Sequence, residues 1–111
     1  MIYKICPQDL WQEAEKQGCF FGAPIDLQDG FIHFSTASQA RETAAKHFSG
    51  ETDLLLIAID ESRLSEQLRY EPARNGDLFP HLYEPLSLAA VVWVQPLPMG
   101  EDGVHIFPGG L

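Results

Sequence analysis

The chain is poor in cations and in thiols. Its 111 residues hold seven lysines and arginines against sixteen aspartates and glutamates, a formal net charge of −9. Such a field repels a phosphate backbone, so nucleic acid is not an expected partner, and an anionic membrane surface is disfavoured on the same ground. Only two cysteines occur, Cys6 and Cys19. Two thiols make no disulfide framework, and their spacing fits no zinc motif. The expectation is two buried free thiols in a reducing cytoplasm. No run approaches the roughly 20 apolar residues of a membrane span, and Pro7, Asp9 and Glu13 interrupt any apolar leader. Gly-x-Gly-x-x-Gly, a Gly-Lys-Ser/Thr phosphate loop, His-Glu-x-x-His and Gly-x-Ser-x-Gly are all missing. These absences argue against a dinucleotide fingerprint, a nucleotide triphosphatase, a zinc protease and a nucleophile elbow.

What is there is ordinary globular material, with 45% hydrophobic and 21% charged residues. One domain is expected over residues 1–98, with an irregular tail over 99–111 that carries at most a weak strand near Val104 to Phe107. Ile2 to Ile5 is β-prone, and Pro7 suits the first turn of a helix that runs from Gln8 to Gln17 and stops at Gly18. Phe20 to Gly30, punctuated by Gly22, Pro24 and Gly30, reads as loop. Phe31 to Ser35 is a compact strand, with Ile32 and Phe34 on one face and Phe31, His33 and Ser35 on the other. Thr36 and Gln39 form a Thr-x-x-Gln capping box that opens a second helix, reaching about Phe48. Leu54 to Ile59 is an unbroken apolar run, the pattern of a fully buried strand. A helical turn follows at Glu61 to Glu66, a short strand at Leu68 to Glu71, a loop at Pro72 to Pro80, and a second buried strand at Leu88 to Gln95. Two early helices followed by strands give an α+β class rather than an alternating parallel sheet.

Two segments concentrate the chemistry. In Asp29-Gly30-Phe31-Ile32-His33-Phe34-Ser35-Thr36 a strand presents an imidazole and a hydroxyl on one face just before a helix start, where free N–H groups favour an anion. In Phe79-Pro80-His81-Leu82-Tyr83-Glu84-Pro85-Leu86 two prolines stiffen a stretch that carries His81 and Tyr83 on one face. Glu71, Asp77 and Glu84 are the nearest carboxylates in sequence, and any of them could orient an imidazole. The structural alternative is a satisfied histidine, a plain helix cap and solvated acids. His33, His81 and Glu71 could also form a metal site, though without a known ligand spacing. His47 and His105 receive no role.

At these residues the chain resembles a known family. Ile2-Tyr3-Lys4-Ile5 with Trp11, Asp29 to Thr36, Leu54 to Asp60, and Phe79-Pro80-His81-Leu82-Tyr83 with Pro85-Leu86 occur in the order seen in the uncharacterised domain of unknown function 952. That family is in turn remotely similar to the ADP-ribosyltransferase-like fold. The resemblance implies a small mixed or antiparallel split β-sheet with an NAD-sized cleft, and a nucleotide-like small molecule as ligand. It places His33, His81 and Glu71 as catalytic candidates. Tyr83 would stack on a base or on nicotinamide, with Ser35, Thr36 and Phe79 completing the binding pocket. The departures are specific. The first strand offers Tyr3 and Lys4 where such transferases carry a histidine or arginine, and no Glu-x-Glu occurs. A catalytically inactive sensor or protein-interaction module of the same fold is the alternative that these departures imply.

Overall fold

Six consecutive apolar residues, Leu54 to Ile59, form the strand around which the molecule is built. In the computed structural model, which describes residues 1–111, this strand (β4) lies between β1 (Ile2–Pro7) and β8 (Val91–Pro96) and is antiparallel to both. A strand whose side chains point alternately to two faces needs two apolar layers if every residue is hydrophobic. β4 has both. Ile57 and Ile59 join one buried cluster with Ile2, Cys6, Trp11, Phe20 and Leu82, while Leu54, Leu56 and Ala58 join another with Tyr3, Ile5, Ala44 and Leu97.

A second antiparallel sheet has the order β3 (Ile32–His33), β6 (Leu78–Leu82), β5 (Leu68–Pro72). A two-stranded ribbon joins β2 (Cys19–Phe20) to β7 (Leu86–Ser87). The two larger sheets touch at one rung. Tyr3 donates its N–H to the Ser35 carbonyl at 2.8 Å, and Ser35 returns the bond to Tyr3 at 2.9 Å. Beyond that rung β1 and β3 separate.

Three helices, all in the first half of the chain, cover these sheets: α1 (Gln8–Gln17), α2 (Pro24–Asp29) and α3 (Ala40–His47). α1 buries Trp11 and Ala14, and it ends as expected at Gly18, which takes the left-handed conformation with φ 84°. α2 corrects the loop expected over Phe20 to Gly30. Pro24 opens it from the first helical turn, and Gly30, at φ 85°, closes it by donating to the Asp26 carbonyl at 2.9 Å. Punctuation that reads as loop is here a pair of caps on one short helix, which makes three early helices rather than two.

The segment from Leu78 to Pro80 is also not loop. It begins β6, the middle strand of its sheet, despite Pro80. A central proline ordinarily breaks a ladder. Here the Pro80 carbonyl still accepts from Phe34 N–H at 3.0 Å, the next step of the β3–β6 register, so the proline costs the ladder only the return bond to Phe34. The second buried strand is corrected as well. Leu88–Ala90 is a helical turn, and β8 is an edge strand that exposes Val92 and Val94. The Thr36-Gln39 box forms only in part. Gln39 Oε1 accepts from Thr36 N–H at 3.0 Å, but the Thr36 hydroxyl turns to Ser38, and the regular helix starts at Ala40.

Residues 99–111 contain one isolated bridge, Met99 to His105. His105 is buried and bonded through Nε2 to the Glu51 carbonyl at 2.8 Å, and Phe107 and Leu111 rest on the second core cluster. No helix is long and apolar enough to cross a membrane.

Candidate functional site

The β3–β6 register sets His33 directly opposite His81. Opposed residues share a face, so the two imidazoles meet, with ring centroids 5.6 Å apart in an edge-to-face arrangement. Phe31 stacks on His81 at 4.1 Å and lies 4.6 Å from His33 and 5.2 Å from Tyr83. Both histidines line a cavity of about 500 Å³ that opens where β1 and the β3–β6 pair part, walled on its other sides by α2, α3 and the turn at Ala73-Arg74. That size suits a small organic ligand.

Each imidazole is oriented by a carboxylate. His81 donates from Nδ1 to Glu71 Oε1 at 2.8 Å, a bond that fixes the tautomer and leaves Nε2 to accept. The same Glu71 oxygen accepts from the Tyr83 hydroxyl at 2.7 Å. These two hydrogen bonds, Tyr83 first, hold the Glu71 carboxyl below its ordinary value, while Glu71 pushes the Tyr83 phenol up. His33 donates from Nδ1 to Asp26 Oδ1 at 2.6 Å, and its Nε2 lies 2.9 Å from Asp29 Oδ2. Both of its nitrogens can donate at once only in the imidazolium form.

Asp26 is the residue that sequence reasoning missed. It is 2% exposed and accepts five hydrogen bonds: two from Lys4 Nζ at 3.0 and 3.1 Å, one from His33 Nδ1, one from His33 N–H at 3.1 Å and one from Ala23 N–H at 2.8 Å. Burial alone would raise its pKa. The His33 bond and the Lys4 charge win, and the carboxyl is held down at about 2. Lys4 projects from the β1 face that also carries Ile2 and Cys6, is 5% exposed, and also donates to the His33 carbonyl at 3.0 Å. Its ammonium therefore sits in the wedge where the sheets diverge. The only local signal for Asp26 was its place at the third position of a proline-initiated helix, where an acid can accept from the residue before the helix. Nothing in sequence pairs it with Lys4, 22 residues earlier, or with His33.

Of the other residues singled out by sequence, Ser35 and Phe79 line the cavity, and Ser35 Oγ lies 2.8 Å from Thr43 Oγ1. Glu71 stands behind His81 rather than in the cavity. Tyr83 packs against Phe31 with Arg69 over its ring at 4.9 Å, and Thr36 lies in the turn before α3, so neither reaches the cavity wall. His47, given no role, is on that wall, as are Tyr3, Arg74, Phe48 and Thr43. No group of three or more histidine, cysteine or acidic side chains is arranged to hold a metal ion. Cys6 and Cys19 are free; Cys6 is buried among apolar side chains, and burial pushes its thiol up to about 12.

A split pair of antiparallel sheets around a histidine-lined cleft defines the class: a small α+β cleft domain with two carboxylate-held imidazoles. The chain belongs to the protein family of unknown function DUF952, whose model matches residues 5–94. It is similar to protein CC0527 from Caulobacter crescentus. The crystal structure of that protein is 46% identical, with a TM-score of 0.91 over 95% of this chain and 92% of that one. Its solution structure is 47% identical, with a TM-score of 0.83 over 93% and 89%. No curated protein matches the chain.

Proposed function

We propose that the cleft binds a nucleotide-like small molecule, with NAD as the reference ligand, and that His33 and His81 contact its ribose or phosphate, His81 through its free Nε2 and His33 through Nε2 in place of the exposed Asp29. One observation carries this reading: two imidazoles from distant parts of the chain are set opposite each other on one wall of a single cavity, each held by its own carboxylate. Oriented imidazoles serve as hydrogen-bond donors, acceptors and proton carriers near neutral pH. The cavity also presents apolar and aromatic faces at Tyr3, Phe48 and Phe79, so base stacking falls to them rather than to Tyr83. The single rung between the two sheets supports the remote ADP-ribosyltransferase-like reading, since a split sheet is what that fold implies.

A second reading, a ligand sensor or protein-interaction module without catalysis, is favoured by the state of the charged groups. Breaking a ribosyl bond needs a carboxylate free to stabilise an oxocarbenium-like transition state. Glu71 lies behind His81, Asp29 is bonded to His33, and the Lys4 ammonium on the first strand is occupied by Asp26. Calorimetry with NAD and ADP-ribose tests the binding proposal. Wild type should release or absorb heat, and His33→Ala and His81→Ala should each weaken binding by about tenfold, the loss of one buried hydrogen bond. No heat at millimolar ligand, or binding left at the wild-type level by both His33→Ala and His81→Ala, overturns it. Release of nicotinamide from NAD by the wild-type protein would overturn the non-catalytic reading.

A further inference from the structure

The cavity gathers cations in a protein that is otherwise strongly acidic. Two of the seven lysines and arginines (Lys4, Arg74) and three of the four histidines (His33, His47, His81) line it, against a single one of the sixteen acids, Asp29. A net charge of −9 spread at random would place more acids than bases there, so the make-up of the wall departs from that of the whole chain.

The charges are not all of one kind. Lys4 is neutralised by Asp26, and His33 lies between Asp26 and Asp29. At the α3 side the balance differs. Arg74 Nη1 and Lys46 Nζ share one exposed carboxylate oxygen, Glu42 Oε1, each at 3.2 Å. One acid therefore faces two cations, and His47 lies beside them with no hydrogen bond of its own. The His47 pKa is lowered, by burial first and then by the charges of Arg74, Lys46 and His33.

Arg74 is built to present a fixed fork. Its guanidinium stacks on Phe79 at 4.7 Å, and Nη2 donates to Thr43 Oγ1 at 2.7 Å. Thr43 in turn donates to the Gln39 carbonyl at 3.1 Å, and it accepts from Ser35 Oγ at 2.8 Å. Ser35 belongs to the rung that joins the two sheets, so the fork is tied through Thr43 to that joint. Two of the five guanidinium N–H groups are used, which leaves three without a protein partner. A planar fork with unused donors beside a second nitrogen donor is the recognition chemistry of phosphate.

We propose that Arg74 and His47 form an anion subsite for a phosphate or diphosphate group, on the α3 side of the cleft, so that the ligand is a small phosphorylated molecule. The proposal rests on the nucleotide reading for the rest of the ligand but not for the anion itself. Titration with inorganic pyrophosphate at low ionic strength, followed by amide chemical shifts, tests it, with NAD titrated in parallel. Wild type should bind pyrophosphate, and affinity should fall as salt is added. Arg74→Gln should weaken binding about tenfold or more, the loss of a bidentate charged contact. His47→Gln, at an exposed position that does not threaten the fold, should weaken it several-fold. Arg63→Gln, whose side chain bonds Asp60 and the Ala89 carbonyl instead, should leave it unchanged. Absence of pyrophosphate binding overturns the subsite, as does binding that neither Arg74→Gln nor His47→Gln alters. If pyrophosphate binds through Arg74 and NAD does not bind, the nucleotide reading fails and the subsite stands. If NAD binds equally to wild type and Arg74→Gln, the subsite fails and the nucleotide reading stands.

Discussion

Asp26 decides how Lys4 and His33 behave. A lysine in an apolar layer is tolerated only with a partner, because an isolated buried charge costs several kcal/mol. The same carboxylate that answers Lys4 also fixes His33 through Nδ1, so a stability device and a site device share two oxygens. Asp26→Asn should then cost about 3–5 kcal/mol in urea denaturation, the usual result of stranding one member of a buried pair. The double variant Lys4→Met with Asp26→Asn should recover most of that loss, since no unpaired charge stays buried. A double variant as unstable as the single one would show that the ammonium is not what Asp26 answers.

At the scale of elements, the entry into α2 is the tight point. Gly22 has φ 126°, and a Cβ placed there would lie 2.9 Å from Asp26 Cβ. Gly18, at the end of α1, is equally left-handed, with φ 84°, but an added Cβ would meet nothing within 4 Å. Gly18→Ala should cost about 1 kcal/mol, the conformational penalty alone. Gly22→Ala should cost clearly more, because backbone strain and displacement of Asp26 add to each other. Melting temperatures of the two variants compare them, and an equal loss would refute the close approach. α2 also shows what kind of element escapes a sequence reading. Its six residues are too few to show a helical period, and Ile25 and Leu27 are exposed, so no buried apolar stripe announces it. β4 is the opposite case: six apolar residues in a row have no stable home except a strand buried on both faces.

For the molecule as a whole, acid is the natural denaturant. Asp26 has an ordinary carboxyl value of 3.8 when unfolded and about 2 when folded. A depressed folded value stabilises above the unfolded one and loses that contribution as pH falls. The contribution is thus complete at neutral pH, and it disappears between about pH 4 and pH 2. Its size is about 2 kcal/mol. Urea midpoints at about pH 6 and about pH 3 should differ by more in wild type than in the Lys4→Met, Asp26→Asn double variant, which has no such group to protonate. Equal pH dependence in the two proteins would remove Asp26 from the acid response. Glu61 and Glu71 are also lowered, the first by the N-terminal ammonium and Tyr70, the second by Tyr83 and His81, and both act in the same direction.

The α+β class, the strands at Ile2 to Ile5 and Leu54 to Ile59, the first helix and its glycine stop, and the shared face of Phe31, His33 and Ser35 follow from the sequence by itself. They depend on patterns among residues close in sequence, and such patterns are written locally. That His33 faces His81, that Asp26 links Lys4 to His33, that Pro80 sits harmlessly in a central strand, and that His47 and Arg74 reach the cleft were decided only by the tertiary structure. Each of these is a pairing across 7 to 48 residues of chain, read directly from positions 26 and 33, or 33 and 81. Strand register and the meeting of side chains through space set such pairings, and no local periodicity encodes them.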